Sequence, residues 1–338
     1  MLCVRCMGMK VNKILKYLSV SLFTIATQYV YAECDTYATP AVLGPVSSFN
    51  VPNLSAQQMS GGLSCVGTLT LVSTSFIKYR PLNVPATLLH QDGVNKARIV
   101  IRDNNNNILQ TGVERDLSSF SLISLFGGPN SSIPFSVTVT ESTNLKPGVY
   151  QGNLRIKWFY YVGALGIGGI NLWTFKSEGA SYFPFLGITW GAGRDANVPI
   201  VLTVTEDCKI NASDISFGSA ALVSKFDTVN GVVQITCSAQ TPYSVGLSNG
   251  QNFNATRRMK HQSQSNYIGY EVYKNVTQQR WGSIGSERWN SNEASVNPLI
   301  YDGITNQNFS YTAKITEPST VIAPEGVYTD TLQIEVKF

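Results

Sequence analysis

The chain carries one motif twice, as PGVYQGNLRI at residues 147–156 and as EGVYTDTLQI at residues 325–334. After the first copy, a further alternating apolar segment follows at residues 198–205, whereas the second copy is followed only by EVKF. The alternation of apolar and polar residues over 332–338 predicts a strand with one face in a core. The second unit therefore lacks the strand that residues 198–205 supply to the first, and we expect an open hydrophobic groove there.

The missing strand predicts assembly by strand exchange between chains. An unpaired strand edge beside an exposed core invites aggregation unless another segment covers it. A strand from a second chain completes the ladder with main-chain hydrogen bonds and fills the groove with alternate side chains. The expected acceptor groove is formed by five apolar residues: Phe217, Leu332, Ile334, Val336 and Phe338. In the first unit, residues 198–205 are expected to fill the same place as an edge strand, because Pro199 cannot donate to a neighbour.

Residues 1–32 are typical of a secretory signal peptide. Four basic residues precede an apolar segment at 18–30, which is too short to span a membrane, and Val30-Tyr31-Ala32 suits cleavage. Of the 25 Lys and Arg residues four lie in this segment, which leaves 21 basic and 21 acidic residues in the exported chain. A net charge of zero argues against a nucleic-acid partner. Cleavage leaves only Glu33 before Cys34, so we expect no donor strand at the N-terminus and a place at the end of a polymer.

Four cysteines remain after cleavage, and they fall into two equivalent pairs. Cys34 and Cys65 open the first unit, and Cys208 and Cys237 open the second with nearly the same separation. In an exported chain this spacing predicts one local disulfide in each unit. A metal site is the competing interpretation, but it needs more ligands than the two histidines of the chain offer.

The composition and the repeat predict two all-β domains. Charged residues make up only 14% of the chain, and short apolar segments alternate with turn residues, which is typical of immunoglobulin-like sandwiches. We expect a signal peptide at 1–32, an N-terminal domain at 33–205 and a C-terminal domain at 206–338 that lacks its last strand. The short connection near Glu206 predicts a fairly fixed orientation between the two domains.

The second domain resembles the spore coat protein U domain, the pilin module of archaic, Csu-type chaperone–usher pili. The resemblance covers 208–338 and rests on these features: Cys208, Phe217-Gly218, Gly231, Cys237, Thr241-Pro242-Tyr243, Leu247, Arg258-Met259, Tyr270, Tyr273, Trp281-Gly282 and Gly326-Val327-Tyr328 with Asp330. The first domain keeps the cysteine spacing and the Pro-Gly-Val-Tyr turn but not the Trp-Gly pair. A two-domain member without a donor extension resembles the tip adhesin of such pili. This resemblance implies a periplasmic chaperone, an outer-membrane usher, a neighbouring pilin subunit that donates a strand, and display at the pilus tip on the cell surface.

Three glycine-flanked apolar segments of the first domain are candidate binding loops, and we expect the first two to form loop tips or hairpins at one end of the domain. They lie at 159–173, 182–190 and 122–129. The resemblance implies hydrophobic finger-like loops that bind abiotic or host surfaces and so support attachment and biofilm formation. The residues expected at exposed tips are Val162, Ala164, Leu165, Ile167, Ile170, Leu172, Phe183, Phe185, Leu186, Ile188, Leu125 and Phe126. The competing interpretation places these residues in an enlarged core, as we expect for Trp158 and Tyr160.

Two other functions compete with a tip adhesin. The chain could be a minor structural pilin or coat subunit whose first domain has no binding role. A secreted enzyme is disfavoured, because His90 and Asp92 lack the further polar residues of a catalytic set. The glycine-rich segment 163–169 lacks the Lys-Ser or Lys-Thr of a phosphate loop. We therefore predict no catalysis, no cofactor and no metal.

Overall fold

The structure is a computed structural model that describes residues 33–37, 39–66, 75–118, 125–141, 144–167, 170–275 and 279–338, with the backbone alone for 164–167 and 170–172. The predicted signal peptide at 1–32 lies outside these residues. In the described part of the chain, no helix is long and apolar enough to cross a membrane. The elements are strands and short 3-10 turns, which confirms the predicted all-β class.

The first sandwich contains thirteen strands among the described residues. They are β1 (Glu33–Thr36), β2 (Ala41–Ser47), β3 (Gln57–Val66), β4 (Phe76–Asn83), β5 (Thr87–His90), β6 (Lys96–Arg102), β7 (Arg115–Asp116), β8 (Ser132–Val139), β9 (Gly148–Ile167), β10 (Ile170–Lys176), β11 (Ser181–Phe183), β12 (Gly187–Thr189) and β13 (Arg194–Thr205). Two 3-10 turns, Val51–Asn53 and Pro129–Ser131, lie among them. Burial alternates along β6, β8 and β13, so each strand faces the core with every second residue.

The main sheet of this sandwich runs in the order β1-β3-β8-β6-β5-β9-β13-β2. The long strand β9 holds it together, because it pairs with β5 near its start, with β4 in its middle and with β10 at its end. Strands β11 and β12 form a separate hairpin. One continuous core fills the space between the layers, and Trp158 lies in it with its indole N–H bonded to the carbonyl of Gly61 at 2.9 Å.

Strand β13 completes the first sandwich from within the chain. It pairs antiparallel with β9 along its whole length and parallel with β2 from Ile200 to Thr205. The expectation of an edge strand was therefore wrong, since β13 is paired on both sides over its second half. Pro199 is tolerated because it lies one residue before the β2 ladder begins.

The second sandwich contains nine strands among the described residues. They are β14 (Cys208–Ala212), β15 (Val229–Cys237), β16 (Ser244–Leu247), β17 (Arg257–His261), β18 (Tyr267–Lys274), β19 (Trp289–Asn290), β20 (Gln307–Ile315), β21 (Tyr328–Thr329) and β22 (Ile334–Lys337). The 3-10 turns are Val223–Lys225, Gly285–Glu287 and Ser291–Glu293. One sheet has the order β14-β15-β20-β18-β17-β21 and the other the order β19-β16-β22, and a second core lies between them.

The two disulfides join the predicted pairs. Cys34 is bonded to Cys65 between β1 and β3, and Cys208 is bonded to Cys237 between β14 and β15. Each bond therefore links the first strand of a sandwich to its neighbour, and the two sandwiches repeat one arrangement.

The joint between the sandwiches is short and held by polar contacts. Only Glu206 and Asp207 separate β13 from β14. The hydroxyl of Ser48 lies 2.6 Å from that of Ser238, and the hydroxyl of Ser47 donates to the Asp207 carboxylate. Farther out, the side-chain amide of Asn95 donates to that of Gln240 at 3.2 Å, and Asn144 donates to the carbonyl of Gly303 at 3.0 Å. The two sandwiches are therefore in direct contact.

Candidate functional site

An apolar groove opens in the second sandwich where β13 lies in the first. Strand β22 pairs with β16 along one edge, and no strand among the described residues pairs with its other edge. Residues 213–218, which correspond to β2, form no strand. Between these two segments lies a groove with a volume of about 490 Å³. Its apolar lining includes Ile215, Phe217, Val233, Leu247, Met259, Val272, Trp281, Leu332 and Ile334.

The two copies of the repeated motif differ in the burial of their side chains, and the difference shows which side chains the missing strand would cover. Leu154 and Ile156 lie against β13 and are fully buried, at 0% exposure each. Their counterparts Leu332 and Ile334 are only half-buried. The opposite wall shows the same difference, because Leu43 is buried and its counterpart Phe217 is half-buried. The groove is thus a part of the core that has been left uncovered.

Three of the five predicted groove residues line this cavity, namely Phe217, Leu332 and Ile334. Val336 lies beyond it, opposite Val245 in the β16 ladder, and Phe338 lies past the end of β22 and is exposed. The sequence reasoning missed much of the lining, including Ile215. The alternation of Ile215 with Phe217 is the signal that would have found that wall.

A polar residue, Asp330, also lines the groove. Its carboxylate accepts a hydrogen bond from the Tyr270 hydroxyl at 2.8 Å, and bonds from the backbone N–H of Gln251 at 2.9 Å and from the Asn252 amide at 3.3 Å. Burial raises the pKa of Tyr270 well above its ordinary value, and the hydrogen bond to Asp330 adds to the shift. Asp330 is therefore held by three donors, and it fixes the segment between β21 and β22 against the rest of the sandwich.

The second candidate site is the hairpin of β11 and β12 in the first sandwich. Its turn carries Phe185 at 106% exposure and Leu186 at 86%, and Phe183 beside them is 57% exposed. Ile188 on the return strand is half-buried. Large apolar side chains that project together from a monomer surface usually mark an interaction site.

Aromatic packing holds the base of this hairpin to the sheet. The Tyr182 ring lies 5.0 Å from that of Phe76 and 6.0 Å from that of Tyr161, as measured between centroids. The ammonium group of Lys78 lies 4.9 Å from the centre of the Trp190 ring, a cation–π distance. The exposed tip is thus carried on a base that packs against β4 and β9.

Three residues expected at exposed tips are instead buried. Val162 is 0% exposed because β9 continues as a strand and turns this side chain into the core, and Leu125 and Phe126 are 1% and 8% exposed. Segment 159–173 contributes to the hairpin of β9 and β10, in which Ile167 pairs with Ile170. The side chains of Ala164, Leu165, Ile167, Ile170 and Leu172 lie outside the described residues, as do residues 122–124 of the third candidate segment.

Comparison with known proteins gives one consistent family. The family profile of the Spore Coat Protein U domain matches residues 194–335. A chain of the CsuC–CsuE chaperone–tip adhesion subunit pre-assembly complex from archaic chaperone–usher Csu pili of Acinetobacter baumannii is 36% identical, covers 90% of this chain and 100% of its own, and gives a TM-score of 0.68. No curated protein sequence matches the chain.

Two further solved structures are remote. The CupB6 tip adhesin from Pseudomonas aeruginosa is 11% identical, covers 91% of this chain and 95% of its own, and gives a TM-score of 0.30. The CooA pilin subunit from enterotoxigenic Escherichia coli is 13% identical, covers 51% of this chain and 98% of its own, and also gives 0.30. Neither likeness carries an argument about function.

Proposed function

Because the chain belongs to the spore coat protein U domain family, among the two-domain tip adhesins of archaic chaperone–usher pili, we propose that it attaches cells to hydrophobic surfaces from the pilus tip. The observation that carries this proposal is the exposed apolar tip at Phe183, Phe185 and Leu186 on an anchored hairpin. Burying about 300–500 Å² of such surface against an apolar material is worth roughly 8–12 kcal/mol gross. Many pili on one cell add avidity to this contact.

The second sandwich supplies the link to the pilus. A neighbouring pilin subunit donates the strand that fills the open groove, after a periplasmic chaperone and an outer-membrane usher have guided the chain to the cell surface. We place the domain boundary at about Glu206, because β13 pairs within the first sandwich and β14 within the second. In this proposal the domain at 33–205 binds the surface, and the domain at 206–338 joins the chain to the pilus.

The proposed binding role is tested by making the hairpin tip polar. Phe185→Ser and Leu186→Ser together remove exposed apolar area without opening a cavity, so the unfolding free energy should change by no more than about 0.5 kcal/mol for each substitution. Attachment of piliated cells to polystyrene should fall sharply, while attachment to a hydrophilic surface changes less. Attachment that supports biofilm formation should fall in parallel.

A matched control separates the tip from general surface hydrophobicity. Val94 is 76% exposed elsewhere on the first sandwich, so Val94→Ser removes exposed apolar surface away from the hairpin. The control should leave attachment unchanged, and pili should be as numerous in both variants. If the tip variant makes normal pili and attaches normally, the chain is a minor structural subunit instead.

A further inference from the structure

The only two histidines of the chain occupy the same place in the two sandwiches. His90 ends β5 opposite Tyr150, and His261 ends β17 opposite Tyr328. Both side chains are buried, at 3% and 5% exposure. Because Tyr150 and Tyr328 belong to the two copies of the repeated motif, each histidine holds the turn that begins that motif.

Each histidine holds its turn through three contacts, which we call the histidine clamp. The Nε2 atom lies 3.1 Å from the carbonyl of Pro147 at His90, and 3.0 Å from that of Glu325 at His261. The ring packs on the tyrosine, with centroids 4.7 Å apart in the first sandwich and 5.0 Å in the second. The third contact is to the motif glycine, where any Cβ would lie 2.2 Å or 2.1 Å from Nε2.

The two clamps differ at the other ring nitrogen. Nδ1 of His261 accepts two backbone N–H groups, from Ser263 at 3.0 Å and from Gln264 at 3.1 Å. Nδ1 of His90 lies 2.9 Å from a carboxylate oxygen of Asp92, and accepts the N–H of that residue at 3.2 Å. Among the described residues, no carboxylate lies within 4.0 Å of a ring nitrogen of His261. A proton on Nδ1 would therefore face a carboxylate and one N–H donor in the first clamp, but two N–H donors and no carboxylate among the described residues in the second.

We propose that His261 is a positioning residue for strand acceptance that holds the groove only while its ring is neutral, so that acid loosens the empty groove but not the first sandwich. The inference rests on the strand-accepting part of the proposed function and is independent of the adhesive part. With Nδ1 as an acceptor, the single ring N–H is on Nε2 and donates to the Glu325 carbonyl. Protonation turns Nδ1 into a donor that faces two N–H groups and breaks both bonds.

The second clamp is connected directly to the groove. His261 fixes the turn before β21, and the first residues after that turn, Tyr328, Thr329 and Asp330, line the groove. The backbone N–H of Gln262 also bonds to the carbonyl of Val327 at 3.0 Å. In the part of the second sandwich that the structure describes, no β13-like strand supports this wall, so its position depends on the clamp more than that of β9 does.

The charged and titratable groups around the two rings reinforce the difference. Asp92 stays ionised, because backbone N–H groups, first that of Val94, hold the pKa of its carboxyl well below the ordinary value. It also pairs with Lys146 at 3.0 Å, and burial raises the pKa of Tyr150 to about 12. His261 is faced by Tyr328, whose pKa burial also raises, and by Glu325 through its carbonyl. The loop 262–266 that closes over it carries no charged residue.

Hydrogen exchange on the full exported chain tests the proposal, because both clamps are measured in one molecule. Protection factors, which correct for the intrinsic pH dependence of exchange, are compared at pH 7.5 and pH 5.0, the range in which an imidazole ordinarily gains its proton. Protection over 261–264 and over the groove wall 327–334 should fall about tenfold or more at pH 5.0, since two hydrogen bonds are lost. Protection over 90–95 and 148–154 should change less than about threefold.

Two variants and one ligand complete the design. His261→Gln cannot take up a proton, so the pH dependence of the second clamp should disappear, while the matched variant His90→Gln should leave that dependence intact. A peptide with the sequence of residues 194–205 serves as the donor probe, and it should bind more weakly at pH 5.0 than at pH 7.5. If the peptide binds at neither pH, that result counts against strand acceptance. The hydrogen-exchange measurement then tests separately whether protonation of His261 loosens the second clamp.

The wild-type comparison alone can overturn the proposal, even if a variant fails to fold. An equal loss of protection in both clamps at pH 5.0, or no loss in the second, would show that the acceptor environment of Nδ1 does not control the clamp. A loss confined to 261–264, with 327–334 unchanged, would show that His261 does not position the groove wall.

Discussion

The groove of the second sandwich should be filled by a strand copied from the first. The perturbation is to append residues 194–205 after Phe338 through a short turn, so that the copy runs antiparallel to β22 as β13 runs antiparallel to β9. The register of β13 determines which side chains enter the groove. The copies of Val198, Ile200 and Leu202 should point inward, because the originals are fully buried.

The size of the effect follows from the burial that the first sandwich shows. Three inward side chains, at about 1.5–3 kcal/mol each, contribute roughly 6 kcal/mol. Completing the burial of the half-buried Leu332 and Ile334 adds about 1 kcal/mol for each. Ordering the five residues of the copy that fill the groove, those of 198–202, costs about 1 kcal/mol per residue and therefore opposes roughly 5 kcal/mol of this gain. We expect a net stabilisation of roughly 3 kcal/mol, which raises the unfolding midpoint of the second sandwich by about 10 °C.

Thermal unfolding of the full chain measures this midpoint, and tryptophan fluorescence reports the second core through Trp281 and Trp289. The matched control carries the same appended strand with the copies of Val198 and Ile200 changed to Asp, and it should give no stabilisation. The midpoint of the first sandwich should stay the same in both proteins. Equal midpoints for the apolar and the Asp strand would refute the reasoning, because they would show that no groove accepts the inward side chains.

Two further predictions concern the second sandwich. Gly326→Ala should destabilise this sandwich by at least about 2 kcal/mol, as measured by chemical denaturation. The new Cβ would lie 2.1 Å from Nε2 of His261, and the residue has a φ of +149°. Wild-type stability in this variant would contradict the clamp geometry. The free energy of unfolding should also fall as the pH rises above 10. Burial raises the pKa of Tyr270 in the folded state above its value in the unfolded state. The stabilisation by the neutral Tyr270 hydroxyl is therefore complete below the unfolded-state pKa and is lost as the pH rises toward the folded-state pKa. Tyr270→Phe should reduce that alkaline loss, and an unchanged pH profile would count against the buried hydroxyl as its source.

The repeated motif was the part of the sequence that predicted most. It predicted the missing strand, and together with the composition and the duplicated cysteine spacing it predicted the all-β class and the two cysteine pairings, because a period-2 pattern and a duplicated spacing are both local signals. The position of β13 could not be predicted in full, since its pairing with β2 joins segments that are far apart in the sequence. The same holds for Ile215 and Met259 in the groove, which come together only through the tertiary fold.

The apolar segments show that sequence composition does not predict whether an apolar side chain is exposed or buried. Val162 lies next to a glycine in an apolar run, and this pattern is the same for an exposed loop and for a long buried strand. Strand β9 has 20 residues, far above the usual strand length of about five or six, so the first segment, expected to form a loop tip or a hairpin, begins as a long paired strand that turns Val162 into the core. The tip at Phe185 and Leu186 differs because Pro184 and Gly187 confine it to a tight turn, which leaves no neighbour to cover its side chains.

The joint at Glu206 and Asp207 has a mechanical consequence. In the proposed role, tension on a filament that holds a cell in moving liquid would pass from the hairpin tip to the groove through these two residues. Because β13 is paired with β9 and β2, a pull along it loads many ladder hydrogen bonds at once in shear, instead of peeling them one by one. The contact between the hydroxyls of Ser48 and Ser238 limits how far the joint can extend before the load reaches β13. In that role, the chain would transmit force between its two ends as a stiff coupling.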